Sequence, residues 1–262
     1  MGFSLQRWRR ARIVRRAPLD EALWMESLAR YRFLSGLSDA ERERLRSLVT
    51  VFLHDKQIHG AADLELDNSM RMALAVQACI LLLNLPDDWY DGWVEIVVYP
   101  DEFVPDVEWQ DEFGVVHVGK EIRSGEAWLH GPVILSWADI GEDFADGINV
   151  AIHEFAHKLD MLNGDADGYP PLHAGMDRAA WTSAFTSAYE DFCHSVNAGR
   201  RTTIDPYAAE SPGEFFAVVS EAFIERPEIV RAGYPAIYEQ LMGFYRQDPY
   251  ARHVAAGLLE EV

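Results

Sequence analysis

Hydrophobic residues recur at helical spacing along most of the chain, which indicates a protein built mainly from amphipathic helices. Several of these segments begin at a capping residue or stop before a proline, as helices commonly do. Ser38 and Glu41, for example, have the spacing of a capping box. The predicted helices cover residues 19–34, 38–54, 67–83, 147–162, 179–196, 212–225 and 235–246.

A few strands are predicted between the third and fourth helices. Residues 93–99, 114–118 and 128–137 are rich in β-branched and aromatic side chains. We hypothesise that residues 133–137, in the last of these strands, offer a sheet edge to an extended peptide. Several helices around a small mixed sheet indicate an α+β fold, with one domain over residues 19–262.

The fourth helix carries a polar stripe beside the apolar stripe that begins at Ile148. The polar stripe consists of Asn149, His153, His157 and Asp160. His153 and His157 are four residues apart, so one face of the helix brings both imidazoles to a single metal ion. Neutral imidazole binds zinc well, and Glu154 beside the pair could act as the general base of a hydrolase. The alternative interpretation is a helix with two surface histidines.

A catalytic zinc site usually has three protein ligands, so a third ligand is needed. Asn163 occupies a position at which the metzincin pattern requires another ligand, which excludes that class of peptidase. A Glu from a second helix is the other common arrangement. The helix at 212–225 is apolar on nearly every side, yet Glu214 and Glu221 lie two turns apart on one face. Either could be the ligand, and Glu214 could instead complete a capping box with Ser211.

Composition and charge narrow the class of protein. The 262 residues are 49% hydrophobic, enough for a substantial core, and the formal net charge is −20. Such an acidic surface repels nucleic acid, so direct nucleic-acid binding is not expected. Cys79 and Cys193 are expected to be buried free thiols. The chain contains no recognisable secretory signal or membrane-spanning run, which predicts a protein of the cytoplasm.

The first 18 residues differ in charge from the rest of the chain. They contain six arginines and no acidic residue. We expect residues 1–18 to form a mobile basic arm. The alternative is that the arm folds back on the acidic body, or contacts an acidic partner or lipid.

Three separate stretches in a fixed order resemble the Mlc titration factor A family of bacterial zinc peptidases. They are HEFAHKLD at 153–160, IDPYAA at 204–209 and PGEFFAVVSE at 212–221. That family is similar in turn to the catalytic domain of anthrax lethal factor. The resemblance extends from about residue 19 to near the C-terminus, and it implies a zincin-like metallopeptidase fold of gluzincin type.

The resemblance also implies a role for each polar residue of the site. One zinc ion per chain would be held by His153, His157 and Glu214, which resolves the choice between the two glutamates. Glu154 would be the catalytic base. Tyr207, seven residues before Glu214, would be a second catalytic residue that donates a hydrogen bond to the oxyanion.

Asp160 and Glu221 are candidates to accept hydrogen bonds from the ligating histidines, which usually donate their other N–H to a carboxylate or carbonyl. The expected function is zinc-dependent hydrolysis of peptide bonds, as an aminopeptidase or an endopeptidase, linked to the regulation of sugar uptake. The alternative is a regulatory protein that sequesters a transcriptional repressor and has a latent or vestigial metal site. The expected partners are therefore a peptide or protein substrate and, through the resemblance, such a repressor.

Overall fold

The helices and strands are taken from a computed structural model that describes residues 2–103, 106–110, 116–120, 124–129, 131–141 and 146–260. The α-helices in this part of the chain are α1 (Gly2–Arg16), α2 (Glu21–Arg30), α3 (Asp39–Asp55), α4 (Asn68–Leu81), α5 (Trp137–Ile140), α6 (Val150–Asp160), α7 (Arg178–Asn197), α8 (Pro212–Glu225), α9 (Pro227–Gly233), α10 (Pro235–Tyr245) and α11 (Pro249–Ala255). The strands are β1 (Gln57–Gly60), β2 (Glu95–Tyr99), β3 (Asp106–Gln110), β4 (Val116–Lys120), β5 (Gly125–Ala127) and β6 (Val133–Ser136).

Side-chain caps and prolines set most of the helix boundaries. Ser38 and Glu41 form both hydrogen bonds of a capping box at the start of α3, Asp67 caps α4, and Pro212 is the first residue of α8. The helix predicted at 19–34 is shorter, because α2 ends at Arg30 and a 3₁₀ turn follows. The helices predicted at 38–54, 67–83, 179–196, 212–225 and 235–246 are confirmed to within two residues at each end.

The central sheet has four strands in the order β1-β2-β6-β5. Strands β1, β2 and β6 are parallel, and β5 runs antiparallel to β6. Parallel neighbours need a crossover connection, which α4 supplies between β1 and β2. Alternate residues of the sheet are buried in the core, including Ile96, Val98, Val133 and Leu135. Together with the helices, this small mixed sheet confirms the α+β class; β3 and β4 form a separate antiparallel pair.

The strand predictions are right in position but wrong in length. The segment predicted at 128–137 is a strand only from Val133 to Ser136, and the preceding strand β5 was not predicted. Strand β6 is hydrogen-bonded on both sides, so the hypothesis that residues 133–137 offer a free edge is wrong. The edge strands of the described sheet are β1 and β5. Two residues of the strand predicted at 114–118 lie outside the described residues, and β4 begins at Val116.

Helices α6 and α8 pack against each other in the interior of the molecule. All residues from Ala151 to Asp160 are buried, so α6 is surrounded on every side. The helix begins at Val150 because Asn149 caps it, with its side-chain oxygen accepting the N–H of Ile152 at 2.9 Å. Ile148 therefore precedes the helix and is 50% exposed, so its predicted place in the apolar stripe is wrong.

The arginine-rich arm forms α1, which packs against α3. Ile13 is its buried contact with the core. Arg9 pairs with Asp55 at 2.6 Å and Arg10 with Asp91 at 2.9 Å. The structure therefore shows the arm folded back on the acidic body. Among the residues that the structure describes, no helix combines the length and the apolar character needed to cross a membrane.

Both cysteines are free thiols. Cys79 is fully buried on α4, as predicted, whereas Cys193 on α7 is only partly buried. The prediction is thus confirmed for Cys79 and wrong for the burial of Cys193.

Candidate metal centre

Three side chains from α6 and α8 meet at one point. His153 and His157 lie one turn apart on α6, and their Nε2 atoms are 3.1 Å apart. Oε2 of Glu214, in the first turn of α8, lies 2.8 Å from Nε2 of His153 and 3.2 Å from Nε2 of His157. These three residues each offer a ligand atom within 4.8 Å of the others, so the structure brings together a group that could hold a metal ion.

This set of donor atoms fits a zinc ion in chemistry and in spacing. Two imidazole nitrogens and one carboxylate oxygen are common zinc ligands, with bond lengths of about 2.0–2.2 Å. Ligands at such bond lengths around a tetrahedral ion are separated by roughly 3.4 Å. The separations of 2.8–3.2 Å found here are close to that value. The residues present therefore fit a zinc site with three protein ligands.

The start of α8 explains how Glu214 reaches the histidines. Ser211 caps the helix, and its Oγ accepts the backbone N–H of Glu214 at 3.1 Å. The carboxylate of Glu214 contacts the two histidines, so it is directed into the cluster and not toward the cap. Glu221 lies two helical turns further along α8 than Glu214 and on the same face, as the spacing of seven residues predicted.

Glu221 holds the first histidine from the other side of its ring. Oε1 of Glu221 lies 2.6 Å from Nδ1 of His153, and Oε2 accepts the backbone N–H of Asn149. A proton on Nδ1 that is donated to Glu221 leaves the lone pair of Nε2 directed toward Glu214. The geometry therefore gives the two glutamates different positions: Glu214 is among the converging donors, and Glu221 lies behind His153.

The charges of the cluster shift two pKa values in opposite directions. Burial favours neutral Glu214, but hydrogen bonds with His153 and His157 outweigh burial and hold the pKa of Glu214 well below its usual range. Burial also acts to lower the pKa of His153, but Glu221 and Glu214 outweigh it and raise that pKa well above its usual range. A proton on Nε2 must leave before the nitrogen can bind a metal ion, so metal affinity should fall in acid.

Glu154 lies beside the cluster and is chemically distinct from it. Its side chain is buried, and burial raises the pKa of Glu154 to about 7. Its Oε2 is buried without a hydrogen-bond partner among the described residues. A carboxyl group with this pKa can both accept and release a proton near neutral pH.

Strand β5 passes directly over Glu154, and Gly125 makes this possible. A Cβ atom placed on Gly125 would lie 2.7 Å from Cγ of Glu154. Non-bonded carbon atoms of two side chains do not approach each other this closely. Glycine is therefore required for the strand to lie this near the helix. Gly125 gave no signal in the sequence, because a strand of three residues without β-branched side chains has no recognisable pattern.

Tyr207 lies in a 3₁₀ turn, Pro206–Ala209, that Asp205 caps by accepting the N–H of Tyr207 at 2.8 Å. The centre of its ring is 6.1 Å from that of His153. Its side chain is 52% exposed, unlike the buried histidines. The structure thus places Tyr207 at the accessible side of the cluster, and its predicted catalytic role stays a prediction.

Asp160 is buried at the end of α6 but does not reach the histidines. Its Oδ2 accepts the backbone N–H of Gly168 at 2.7 Å, and its Oδ1 has no hydrogen-bond partner among the described residues. Burial raises the pKa of Asp160 to about 7. The contact with Gly168 holds the loop after α6 against the helix, and a role for Asp160 toward the metal ligands stays a prediction.

Asn149 and Lys158 also shape the site, although the sequence did not identify either of them as a functional residue. Nδ2 of Asn149 donates to Gln77 at 2.9 Å and to Glu225 at 2.8 Å, which ties the start of α6 to α4 and α8. Nζ of Lys158 donates to the carbonyl of Gly131 at 2.9 Å, which ties the turn between β5 and β6 to α6. The polar stripe included Asn149, but no pattern showed that the charged Lys158 would be buried.

A cavity of about 420 Å³ lies beside the cluster. Its wall includes part of β5, the start of α6, the 3₁₀ turn of Tyr207 and the first turns of α8. Among the described residues that line this cavity, none is a lysine or an arginine. The carboxyl groups that line it belong to Glu126, Glu154, Asp205, Glu214 and Glu221. The cavity is therefore suited to a ligand with a cationic group.

Known proteins resemble this chain along nearly its whole length. A family model described as "Glucose-regulated metallo-peptidase M90" matches residues 5–246, so the match also includes most of α1. Proteins named Mlc titration factor A are similar as well. The one from Klebsiella pneumoniae is 37% identical over 244 residues, which are 92% of each chain. The one from Cronobacter sakazakii is 38% identical over 248 residues, 94% of this chain and 92% of the relative.

A third relative, the Mlc titration factor A of Salmonella arizonae, is 39% identical over 233 residues, 88% of this chain and 92% of the relative. Identity at this level, over this share of the two chains, agrees with the match to the family model. The converging histidines and glutamate also agree with a family of metal-dependent peptidases. The chain therefore belongs to the glucose-regulated metallopeptidase family M90.

Proposed function

We propose that this protein is a zinc-dependent peptidase of the gluzincin type, with a zincin-like fold. The observation that carries the proposal is the convergence of His153, His157 and Glu214 in a cavity that also contains the protonatable Glu154. This is the arrangement of two histidines, a glutamate and a nearby base that metal-assisted hydrolysis needs.

His153, His157 and Glu214 would hold one zinc ion, and Glu221 would keep His153 in the orientation and tautomer that binding needs. When bound, zinc would supply a Lewis acid that polarises the scissile carbonyl and acidifies water. Glu154 would take a proton from the attacking water and later give it to the leaving amine. Its pKa of about 7 suits both steps.

Tyr207 would donate a hydrogen bond from its hydroxyl group to the oxyanion that develops from the scissile carbonyl. Its place beside His153, on the accessible side of the cluster, supports this role. The side chain is exposed, so it can turn toward a substrate after binding.

The edge strand β5 would bind the peptide backbone. It is hydrogen-bonded to β6 on one side only within the described sheet, and Gly125 brings it next to Glu154. An extended peptide added to this edge would pass in front of the base and the metal ligands. This proposal replaces β6 with β5 as the strand that offers an edge.

Aminopeptidase action is the form of hydrolysis that the charge of the cavity favours. A free N-terminus carries a positive charge, and the cavity is lined by carboxyl groups outside the histidine cluster as well as within it. Glu126 and Asp205 are the two that take no other part in the proposed mechanism, so they are the candidates to bind the α-ammonium group.

A second candidate function is the binding of a regulatory partner. The relatives carry the name Mlc titration factor A, and we propose by analogy that this chain also binds a transcriptional repressor and thereby takes part in the regulation of sugar uptake. The two functions are compatible, because a partner can bind the surface while the cavity keeps its metal ligands. A binding protein without enzymatic activity would not need Glu154 in its present position.

Hydrolysis of an alanyl anilide before and after treatment with a chelator tests the peptidase function. We expect hydrolysis to be lost with the chelator and restored by zinc, and an N-acetylated anilide to be cleaved far more slowly. Equal cleavage of the acetylated compound would contradict aminopeptidase action. Hydrolysis that persists after complete removal of metal would contradict the proposed mechanism.

A further inference from the structure

A second cavity, of about 430 Å³, lies between α1, α3, α4 and residues 87–91. It shares no lining residue with the metal-site cavity. Its size falls within the range of about 300–1,000 Å³ that is typical of small-molecule sites. Its apolar wall consists of Ala11, Val14, Leu48, Val51, Phe52, Cys79, Leu82 and Tyr90.

The charges around this cavity do not balance. Arg7 and Arg15 also line it, and neither makes a hydrogen bond or an ion pair with any residue that the structure describes. Arg7 lies near enough to Asp87 to help lower the pKa of that carboxyl, but each of the three aspartates of the wall has another arginine as its ion-pair partner. The pairs are Asp55 with Arg9, Asp87 with Arg44, and Asp91 with Arg10.

The excess of positive charge at this cavity contrasts with the formal net charge of the whole chain, which is −20. Lys56 adds a further positive charge to the wall, with Nζ donating to the carbonyls of Tyr90 at 2.5 Å and Trp93 at 2.6 Å. The cavity thus combines an apolar interior with a positive edge, whereas carboxyl groups line the metal-site cavity. A ligand that matches both features has a hydrocarbon body and an anionic head group.

We propose that this cavity binds an amphiphilic carboxylate of the fatty-acid class. The hydrocarbon chain would lie against the apolar wall, where it leaves water, and the carboxylate would pair with Arg7 or Arg15. The two arginines are eight residues apart on α1, about 12 Å along the helix, so the head group has a partner at either end. Because α1 supplies both arginines and one wall, the bound ligand would also stabilise α1 against the body.

Fluorescence titration of the full chain with a dansyl-labelled undecanoic acid, followed by displacement with dodecanoate, tests the proposal. Dodecyltrimethylammonium has a chain of the same length and the opposite charge, and it should not displace the probe. Arg7→Gln combined with Arg15→Gln should weaken binding roughly tenfold or more, since the head group loses its charged partners. Arg12→Gln combined with Arg16→Gln removes the same charge from α1 outside the wall, and should change binding less than about twofold.

Val51→Phe gives an independent check, because it fills the cavity and leaves the charge unchanged. It should abolish displaceable binding, while the urea midpoint reports whether the variant is folded. Several results would overturn the proposal: no probe bound by the wild type, displacement by the ammonium compound as effective as by dodecanoate, equal losses in both arginine variants, or full binding by folded Val51→Phe.

Discussion

Two glutamates in one cavity have pKa shifts in opposite directions, and this difference supports the separate roles that we propose for them. Burial raises the pKa of Glu154 to about 7, whereas hydrogen bonds with the histidines outweigh burial and lower the pKa of Glu214. A carboxyl group that stays ionised suits a metal ligand, and one that titrates near neutral pH suits a proton acceptor and donor. The environment of each side chain therefore supports the proposal that Glu214 is a metal ligand and Glu154 a base.

Replacing Glu154 by Gln should abolish most of the hydrolysis but keep the metal. The amide has nearly the same size, so the ligands should stay in place, but it cannot accept the proton. We expect kcat to fall by a factor on the order of 10²–10⁴ with the zinc content unchanged. Glu239→Gln, at an exposed site on α10, is the matched control and should have wild-type activity. Unchanged turnover in the Glu154 variant would remove this residue from the mechanism.

At the residue scale, the sequence predicted the cluster of candidate metal ligands. Residue spacing alone, however, did not distinguish Glu214 from Glu221 as the third ligand. His153 and His157 were identified because residues four apart share a helix face. Glu214 and Glu221 share a face in the same way, so periodicity treats them alike, and only the family resemblance favoured Glu214. The distinction arises from tertiary structure, in which Glu221 meets Nδ1 of His153 and Glu214 meets Nε2.

At the scale of elements, the contact between β5 and α6 should control activity. Gly125→Ala adds a carbon 2.7 Å from Cγ of Glu154, so either the strand or the base must move. We expect kcat to fall at least about tenfold, since displacements of about 1 Å from productive geometry are costly. Gly243→Ala on α10 is the control, because its added carbon meets ordinary contact at 3.6 Å and should leave activity unchanged. Wild-type kcat for Gly125→Ala would show that β5 does not constrain the base.

The cap at the start of α6 should contribute more to stability than an exposed cap. Asn149→Ala removes the cap and also the two buried hydrogen bonds that Nδ2 donates to Gln77 and Glu225. We expect the free energy of unfolding to fall by about 2–4 kcal/mol, the sum of a lost cap and lost buried hydrogen bonds. Ser38→Ala, which removes the exposed cap of α3, should cost about 1 kcal/mol. Equal losses in urea unfolding would mean that the buried network adds nothing.

Helices were easier to predict than strands because their signals are local. The start of α3 is encoded by Ser38 and Glu41 alone, and the start of α8 by Ser211 and Pro212. Strand β5 has only three residues, and its place at the edge depends on pairing with a segment that lies beyond a turn. Its contact with Glu154 depends on tertiary packing, which no local pattern contains.

At the scale of the whole molecule, charge is divided between the two cavities. The carboxyl-lined cavity contains the candidate metal ligands, and the second cavity has an excess of arginine at its edge. The sequence showed the arginine-rich segment at residues 1–18 and favoured a mobile arm over one that folds back on the acidic body. The ion pair of Arg9 with Asp55 shows how α1 is held on the acidic body.

The stability of the whole fold should depend on pH in part through His253 on α11. Burial and the neighbouring Arg252 lower the pKa of His253 to about 4, against about 6.5 in an unfolded chain. The folded protein thus binds this proton less readily, so the contribution is complete above pH 6.5 and is lost as the pH falls toward 4. Between pH 7 and pH 5 this group should remove about 2 kcal/mol from the free energy of unfolding.

Urea unfolding of wild type and His253→Gln at both pH values isolates this effect, because the carboxyl groups titrate alike in the two proteins. The variant should lose less stability than wild type between pH 7 and pH 5, by about 2 kcal/mol. Equal losses would mean that His253 is not held neutral by the fold.

The zinc content of three proteins, measured by mass spectrometry after dialysis against a weak chelator, tests the assignment of the metal centre most directly. We expect about one zinc ion per chain in wild type and almost none in Glu214→Ala. Glu221→Ala should retain an intermediate amount, because residues that orient a ligand typically change metal affinity by about 10–100-fold. A wild-type protein that binds no zinc, or a Glu221→Ala variant that loses more zinc than Glu214→Ala, would contradict the assignment.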